Sequence, residues 1–198
     1  MQHHRGTFTL TKPELRALCG FASRDSTREH LNCVRLDPRR GRASATDGHS
    51  LLCYDVEAQA RLSSFAVPLS MVQDAMALLR RKHQVLRVAV AGQRPQLVLK
   101  VFEDEDATEP LATLRAKRDP AANKGTGPEA VLALLPKTRG ASAYALAPHL
   151  LGRLGLLSSI GCQGLQHRGA AGDALSPVYY TGLAGEVAVT VVIMPIRI

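Results

Sequence analysis

Two short stretches, far apart in the chain, constrain its fold more than any other feature. The first is Ala45-Thr46-Asp47-Gly48-His49-Ser50-Leu51. It reads as a tight turn between two strand-like runs, because Gly tolerates positive φ and Asp hydrogen-bonds its own backbone. The second is the last seven residues, Val192-Ile193-Met194-Pro195-Ile196-Arg197-Ile198. They close an apolar, β-branched run with a Pro, which a central ladder does not accept. That run therefore belongs at a strand end or a sheet edge.

The rest of the chain supplies alternating strands and amphipathic helices. Thr7 to Leu10 alternates as a strand, and Thr11 then offers an N-cap, with Pro13 and Glu14 in the first helical turn. Leu15, Leu18, Cys19 and Ala22 recur at helical spacing, with Lys12 and Arg16 on another face. Arg28 to Leu36 reads as a strand, Asp37 to Gly41 as a turn, and Arg42–Thr46 with Leu51–Val56 as a hairpin. Phe65 to Pro68 is a short strand. Ser70 is read as the cap of a second helix carrying Val72, Ala75, Met76 and Leu79 and ending in Arg80-Arg81-Lys82. Strands follow at Val85–Val90, Gln96–Val101 and Leu111–Arg115.

Asp119 to Pro128, rich in Gly, Pro, Ala and Lys, reads as a linker. Ala143 to Leu146 is strand-like, and Ala147-Pro148 opens a third helix carrying Leu150, Leu151, Leu154 and Leu157, with His149 and Arg153 on its other side. Gly161 to Leu175 is loosely patterned, and Val178–Tyr180 and Val187–Met194 finish as strands.

Composition narrows the class. A formal charge of +8 favours a polyanionic partner, while aromatics at 4% and the absence of Trp supply few base-stacking platforms. The cysteines Cys19, Cys33, Cys53 and Cys162 show no CxxC spacing and sit mostly in apolar runs, as buried thiols do in a reducing, cytoplasmic compartment. No run approaches the length of a membrane span. Asp47 and His49 could be taken as a metal or acid–base pair, with His30 as a third member. A hairpin turn points such side chains only roughly together, and no nucleophile elbow, P-loop or HExxH occurs, so the chain reads as no enzyme, with no cofactor and no metal.

The Ala-Thr-Asp-Gly-His turn and the Met-Pro-Ile-Arg terminus, in this order, resemble the β subunit of bacterial DNA polymerase III, the replicative sliding clamp. The resemblance runs through Phe8-Thr9-Leu10, Arg28 to Asn32, Thr46 to Leu51, Val67-Pro68 and Leu135-Pro136-Lys137. It implies an α+β DNA-clamp fold of antiparallel sheets with two amphipathic helices per full domain. Residues 1–118 resemble the middle clamp domain, 119–140 a connector, and 141–198 a shortened domain like the second half of the carboxyl-terminal one. The family's amino-terminal domain has no counterpart here.

The same resemblance implies a peptide-binding pocket at Leu31, Thr46, Gly48, His49, Leu51, Pro136, Val192, Met194, Pro195 and Ile196. The family often has Arg after the His, where Ser50 stands here. It also implies a DNA-facing set: Lys12, Arg16, Arg24, Arg80, Arg81, Lys82 and Arg153, contacting phosphate without reading bases. The partners implied are double-stranded DNA, a polymerase or other protein bearing a clamp-binding motif, and a clamp loader. The chain would act as a homo-oligomer, with no membrane. Two functions are expected from this: a processivity factor that tethers a polymerase to DNA, or a non-encircling adaptor or decoy that binds clamp-binding peptides.

Overall fold

In the computed structural model, the described residues are 8–56, 64–81, 84–91, 96–117, 131–132, 148–167 and 177–194. The chain builds one motif, a strand, a helix and a three-strand meander, twice in succession. The first copy is β1 (Phe8–Thr11), α1 (Lys12–Phe21), β2 (Cys33–Asp37), β3 (Arg42–Thr46) and β4 (Ser50–Asp55). The second is β5 (Phe65–Pro68), α2 (Leu69–Leu78), β6 (Val85–Ala91), β7 (Gln96–Phe102) and β8 (Ala112–Lys117). A third helix and meander follow: α3 (Pro148–Gly152), continued by a 3₁₀ segment (Arg153–Ile160), then β9 (Cys162–His167), β10 (Val178–Ala184) and β11 (Val187–Ile193).

The first two copies exchange their leading strands. β1 pairs with β6 in a four-stranded sheet of order β1-β6-β7-β8, and β5 pairs with β2 in the other sheet. That second sheet has seven strands, β5-β2-β3-β4-β11-β10-β9, because the third meander attaches through β11 to β4. Every neighbouring pair is antiparallel. Phe8 on β1 meets Phe65 on β5 edge-to-face at 6.4 Å, which fastens the two sheets together, and both rings are essentially fully buried. Such a pair adds about 0.5–1.5 kcal/mol beyond its area burial.

Helix α1 starts where Thr11 leaves the extended region. The backbone N–H of Thr11 donates to Glu14 Oε2 at 2.6 Å, while Tyr54 Oη on β4 donates to Glu14 Oε1 at 2.7 Å. One carboxylate thus closes the helix start and ties it to the sheet beneath. Burial and the Glu14 contact together push the Tyr54 phenol well above its ordinary range. The same helix packs closely against the 3₁₀ segment at Gly20. A Cβ there would lie 2.2 Å from Leu156 Cδ1, so a larger residue would have to push that side-chain end aside.

The strands and helices of the first two copies fall close to where periodicity places them, with instructive shifts. β2 begins at Cys33 and not at Arg28, because residues 28–32 form a turn in which Leu31 N–H donates to Arg28 O at 2.8 Å. Ser70 is no cap: α2 starts directly after Pro68 and stops at Leu78, short of Arg80. The third helix turns to 3₁₀ geometry at Arg153, where the pattern predicts a continuous helix through Leu157. β9 falls inside the stretch read as loosely patterned. The strand expected at Ala143–Leu146 and the linker expected at Asp119–Pro128 lie outside the described residues.

Replacing Gly20 by Val is expected to destabilise the protein by about 1–3 kcal/mol in urea unfolding, as overpacking does. Combining it with Leu156→Ala recovers part of that cost, and two simply additive costs would contradict the contact.

Candidate functional site: the cleft at the β4–β11 joint

The turn between β3 and β4 is built from its own side chains. Gly48 has φ +91°, a conformation that costs Gly nothing. Asp47 Oδ1 accepts the backbone N–H groups of His49 at 2.9 Å and Ser50 at 2.8 Å, and the Ser50 hydroxyl at 3.2 Å. Thr46 Oγ1 accepts from Gly48 N–H at 3.1 Å and donates to Ser50 O at 2.7 Å. The Thr-Asp-Gly-His-Ser order is therefore a local hydrogen-bond program. His49 reaches Asp47 through its backbone N–H and not as an acid–base or metal pair.

The end of β11 lies alongside this turn. Ile193 pairs with Ser50 and Val192 with Leu51, and Met194 N–H donates to His49 O at 2.8 Å. The two stretches that dominate the sequence are thus neighbours in space, although more than a hundred residues separate them.

On β4 the side chains alternate, but both faces are covered. Leu52 and Tyr54 enter the main core, while Leu51 and Cys53 form a second apolar cluster with Val192, against which Val131, Leu132 and Tyr179 pack. Beside that cluster lies a narrow cleft lined by His30, Leu31, Cys33, Arg35, Ser44, Ala45, Thr46, Leu51 and Val131. It encloses about 20 Å³, room for little more than a water molecule. Its floor is apolar, and His30 and Arg35 stand on its wall.

Of the residues expected in the pocket, Leu31, Thr46 and Leu51 line this cleft, and Val192 sits in the adjoining cluster. Gly48, His49 and Met194 are exposed and do not line it, although Leu31 Cδ1 lies 3.6 Å from where a Gly48 Cβ would be. Pro136, Pro195 and Ile196 lie outside the described residues. Val131 is a lining residue that sequence reasoning did not select; the apolar run Val131–Leu135 before Pro136 is the signal that marks it.

The expected DNA-facing cations divide. Lys12 and Arg16 are exposed on α1, and the Lys12 ammonium donates to Leu79 O at 2.7 Å, beside exposed Arg80, two residues past α2. Arg24 is exposed in the loop after α1. Arg81 is exposed and paired with Glu103 at 2.6 Å. Lys82 lies outside the described residues. Arg153 does not belong with them: only 23% of its side chain is exposed, and its guanidinium donates to Asp47 Oδ2 at 2.6 Å and Ser50 Oγ at 2.5 Å. It faces the turn because the 3₁₀ segment that carries it is docked on α1. Helix α2 has no Lys or Arg at all, and exposes Gln73 and Asp74.

Burial alone would push the Asp47 carboxyl up; the two backbone donors and Arg153 outweigh it and hold it below the usual carboxylate value. A carboxyl depressed in the folded state stabilises it above the unfolded value and loses that contribution as pH falls through the folded one. Among the described residues, no three His, Cys, Asp or Glu side chains gather as a metal site would need. None of the described helices is long and apolar enough to cross a membrane.

This two-sheet architecture, with paired strand-helix-meander copies and a third meander continuing one sheet, is the fold of the bacterial sliding clamp. The DNA polymerase III β subunit of Thermotoga maritima covers the whole chain at TM-score 0.63 and 14% identity. A Pseudomonas aeruginosa sliding clamp with a bound ligand does so at TM-score 0.66 and 16%, and that of Caulobacter crescentus at 0.64 and 17%. The chain spans 67–68% of the length of these proteins. No family model matches the chain, and no curated protein matches it in sequence.

Replacing Asp47 by Asn is expected to cost about 1–3 kcal/mol at pH 7, measured by denaturant unfolding. Below about pH 4, where the ordinary carboxylate range begins, the gap to the parent protein should narrow. A gap that is constant from pH 7 to pH 2.5 would contradict this role for the carboxylate.

Proposed function

We propose that this chain is a clamp-like factor that seats a short peptide motif of a polymerase, or of another motif-bearing protein, in the cleft at the β4–β11 joint and tethers that partner to double-stranded DNA. Residues 1–118 act as a clamp domain, 119–140 as connector and 141–198 as a shortened clamp domain. The observation that carries the reading is the junction itself: the Thr46–Leu51 turn and the end of β11 meet edge to edge over an apolar floor. A pocket with an apolar floor and a few fixed polar groups suits aliphatic and aromatic anchors of a linear motif. The cleft is narrow as it stands, so seating a side chain requires its lining side chains to move apart.

DNA contact in this reading comes from Lys12, Arg16, Arg24, Arg80 and Arg81, without base readout. A homo-oligomer and a clamp loader complete it.

One observation favours the second reading, a non-encircling adaptor that holds clamp-binding peptides. The cations on the helices are few, since α2 has none and Arg153 is turned to Asp47.

Light scattering over a range of concentrations, with and without circular DNA, separates the two. A closed oligomer that stays on circular DNA and slips from linear ends is the processivity factor; a monomer that never loads is the adaptor. Deleting residues 194–198 is expected to abolish binding of a clamp-motif peptide with the fold retained, and unchanged affinity removes the pocket. Replacing Lys12, Arg16 and Arg80 by Ala should lower the salt slope of DNA binding by about one for each phosphate no longer neutralised. An unaltered slope takes these residues out of the DNA interface.

A further inference from the structure

We propose that Arg153 is a positioning residue for the peptide cleft: by bridging the docked third unit to the Asp47 turn, it makes the shape of the cleft's lip depend on that docking. The inference rests on the peptide-site reading above and names how that site is held.

The geometry is specific. Arg153 is the only Lys or Arg of the α3–3₁₀ stretch, and it points into the protein. Its one terminal nitrogen serves both Asp47 Oδ2 and Ser50 Oγ, while Ser50 Oγ in turn donates to Asp47 Oδ1. Both carboxylate oxygens of Asp47 are therefore engaged: Oδ1 by the turn's own donors, Oδ2 by a residue from a different unit. Only 14% of the Asp47 side chain is exposed, so its charge needs a partner within the protein. The guanidinium also lies 6.0 Å from the Phe21 ring centroid, at the end of α1. One side chain thus touches the end of α1 and the turn between β3 and β4, while its backbone sits in the third unit.

The turn held this way is the lip itself. His49, whose N–H Asp47 fixes, offers its carbonyl to Met194 N–H. Withdraw Arg153, and the Asp47 carboxylate reorients toward water, releasing the His49 and Ser50 amides and with them the edge of β11. Linkage makes the effect reciprocal: a peptide that requires the shaped lip strengthens the docking of the third unit by the same factor.

The test uses the full chain and the variants R153Q, R153K and D47N, with a clamp-motif peptide as the probe. The first readout is amide hydrogen exchange at His49, Ser50 and Met194 without peptide. R153Q should speed exchange at these amides by about ten-fold or more, in the local opening regime, and R153K should restore part of the protection. Leu97→Ala on β7, buried in the other sheet and away from the third unit, is the control for general destabilisation and should leave these local rates near the parent's. The second readout is peptide affinity. R153Q and D47N should each weaken it about ten-fold, and the double variant no further than either alone, since both break one unit. In the parent protein, and not in R153Q, peptide should slow exchange within β11.

Unchanged exchange at the three amides in R153Q overturns the inference outright. Faster exchange with unchanged peptide affinity overturns the coupling to the cleft. A parent protein that binds no motif peptide overturns the peptide-site reading, and the binding half of this inference with it, while the exchange data still decide whether Arg153 holds the turn.

Discussion

The antiparallel ladder between β4 and β11 is the contact on which the rest of the structure depends. Through it, the third helix and meander become part of the sheet that the first copy of the motif began. Two further contacts follow from it. The 3₁₀ segment comes down on α1 at Gly20, where Leu156 occupies the place a Cβ would take, and Arg153 reaches the Asp47 carboxylate. Without the ladder, Leu51, Cys53 and Val192 would be an exposed apolar strip. With it they form a floor, against which Val131 and Leu132 pack.

The joint also accounts for where the polar groups are. Asp47 is a charged residue in a turn, normally a solvated place, yet little of it is exposed because the third unit lies against it. A carboxylate in such a position is tolerated when its lone pairs are filled, and here two backbone N–H groups, one hydroxyl and one guanidinium fill them. Glu14 solves the same problem further along β4, sharing its oxygens between the start of α1 and the Tyr54 hydroxyl. The two carboxylates hold the helical layer and the turn to one strand.

Much of this was legible in the sequence because local signals and tertiary demands agree. Thr11, Pro13 and Glu14 announce α1, and the Asp47-Gly48 turn announces the β3–β4 hairpin, since each is satisfied within a few residues. The pairing of the turn with the chain's last strand was legible only through the family resemblance, because no periodicity links residues so distant. Other features were hidden for physical reasons. β4 is buried on both faces, so Ser50 to Tyr54 show no polar alternation by which to orient it. β9 is an outer strand of its sheet among the described residues, with Gln163, Gly164, Gln166 and His167 exposed, and it lacks the apolar rhythm that marks a strand. Arg153 was legible as a cation on a helical face, but its direction depends on which element that helix docks against.

The central claim is that the turn and the end of β11 form one peptide-receiving surface. Nuclear magnetic resonance shift mapping with a clamp-motif peptide tests it most directly. The account predicts perturbations that move together at Leu31, Thr46, His49, Leu51, Val192 and Met194, with one shared affinity. Perturbations confined to the exposed ends of α1 and α2, or none at these six residues at saturating peptide, would contradict it.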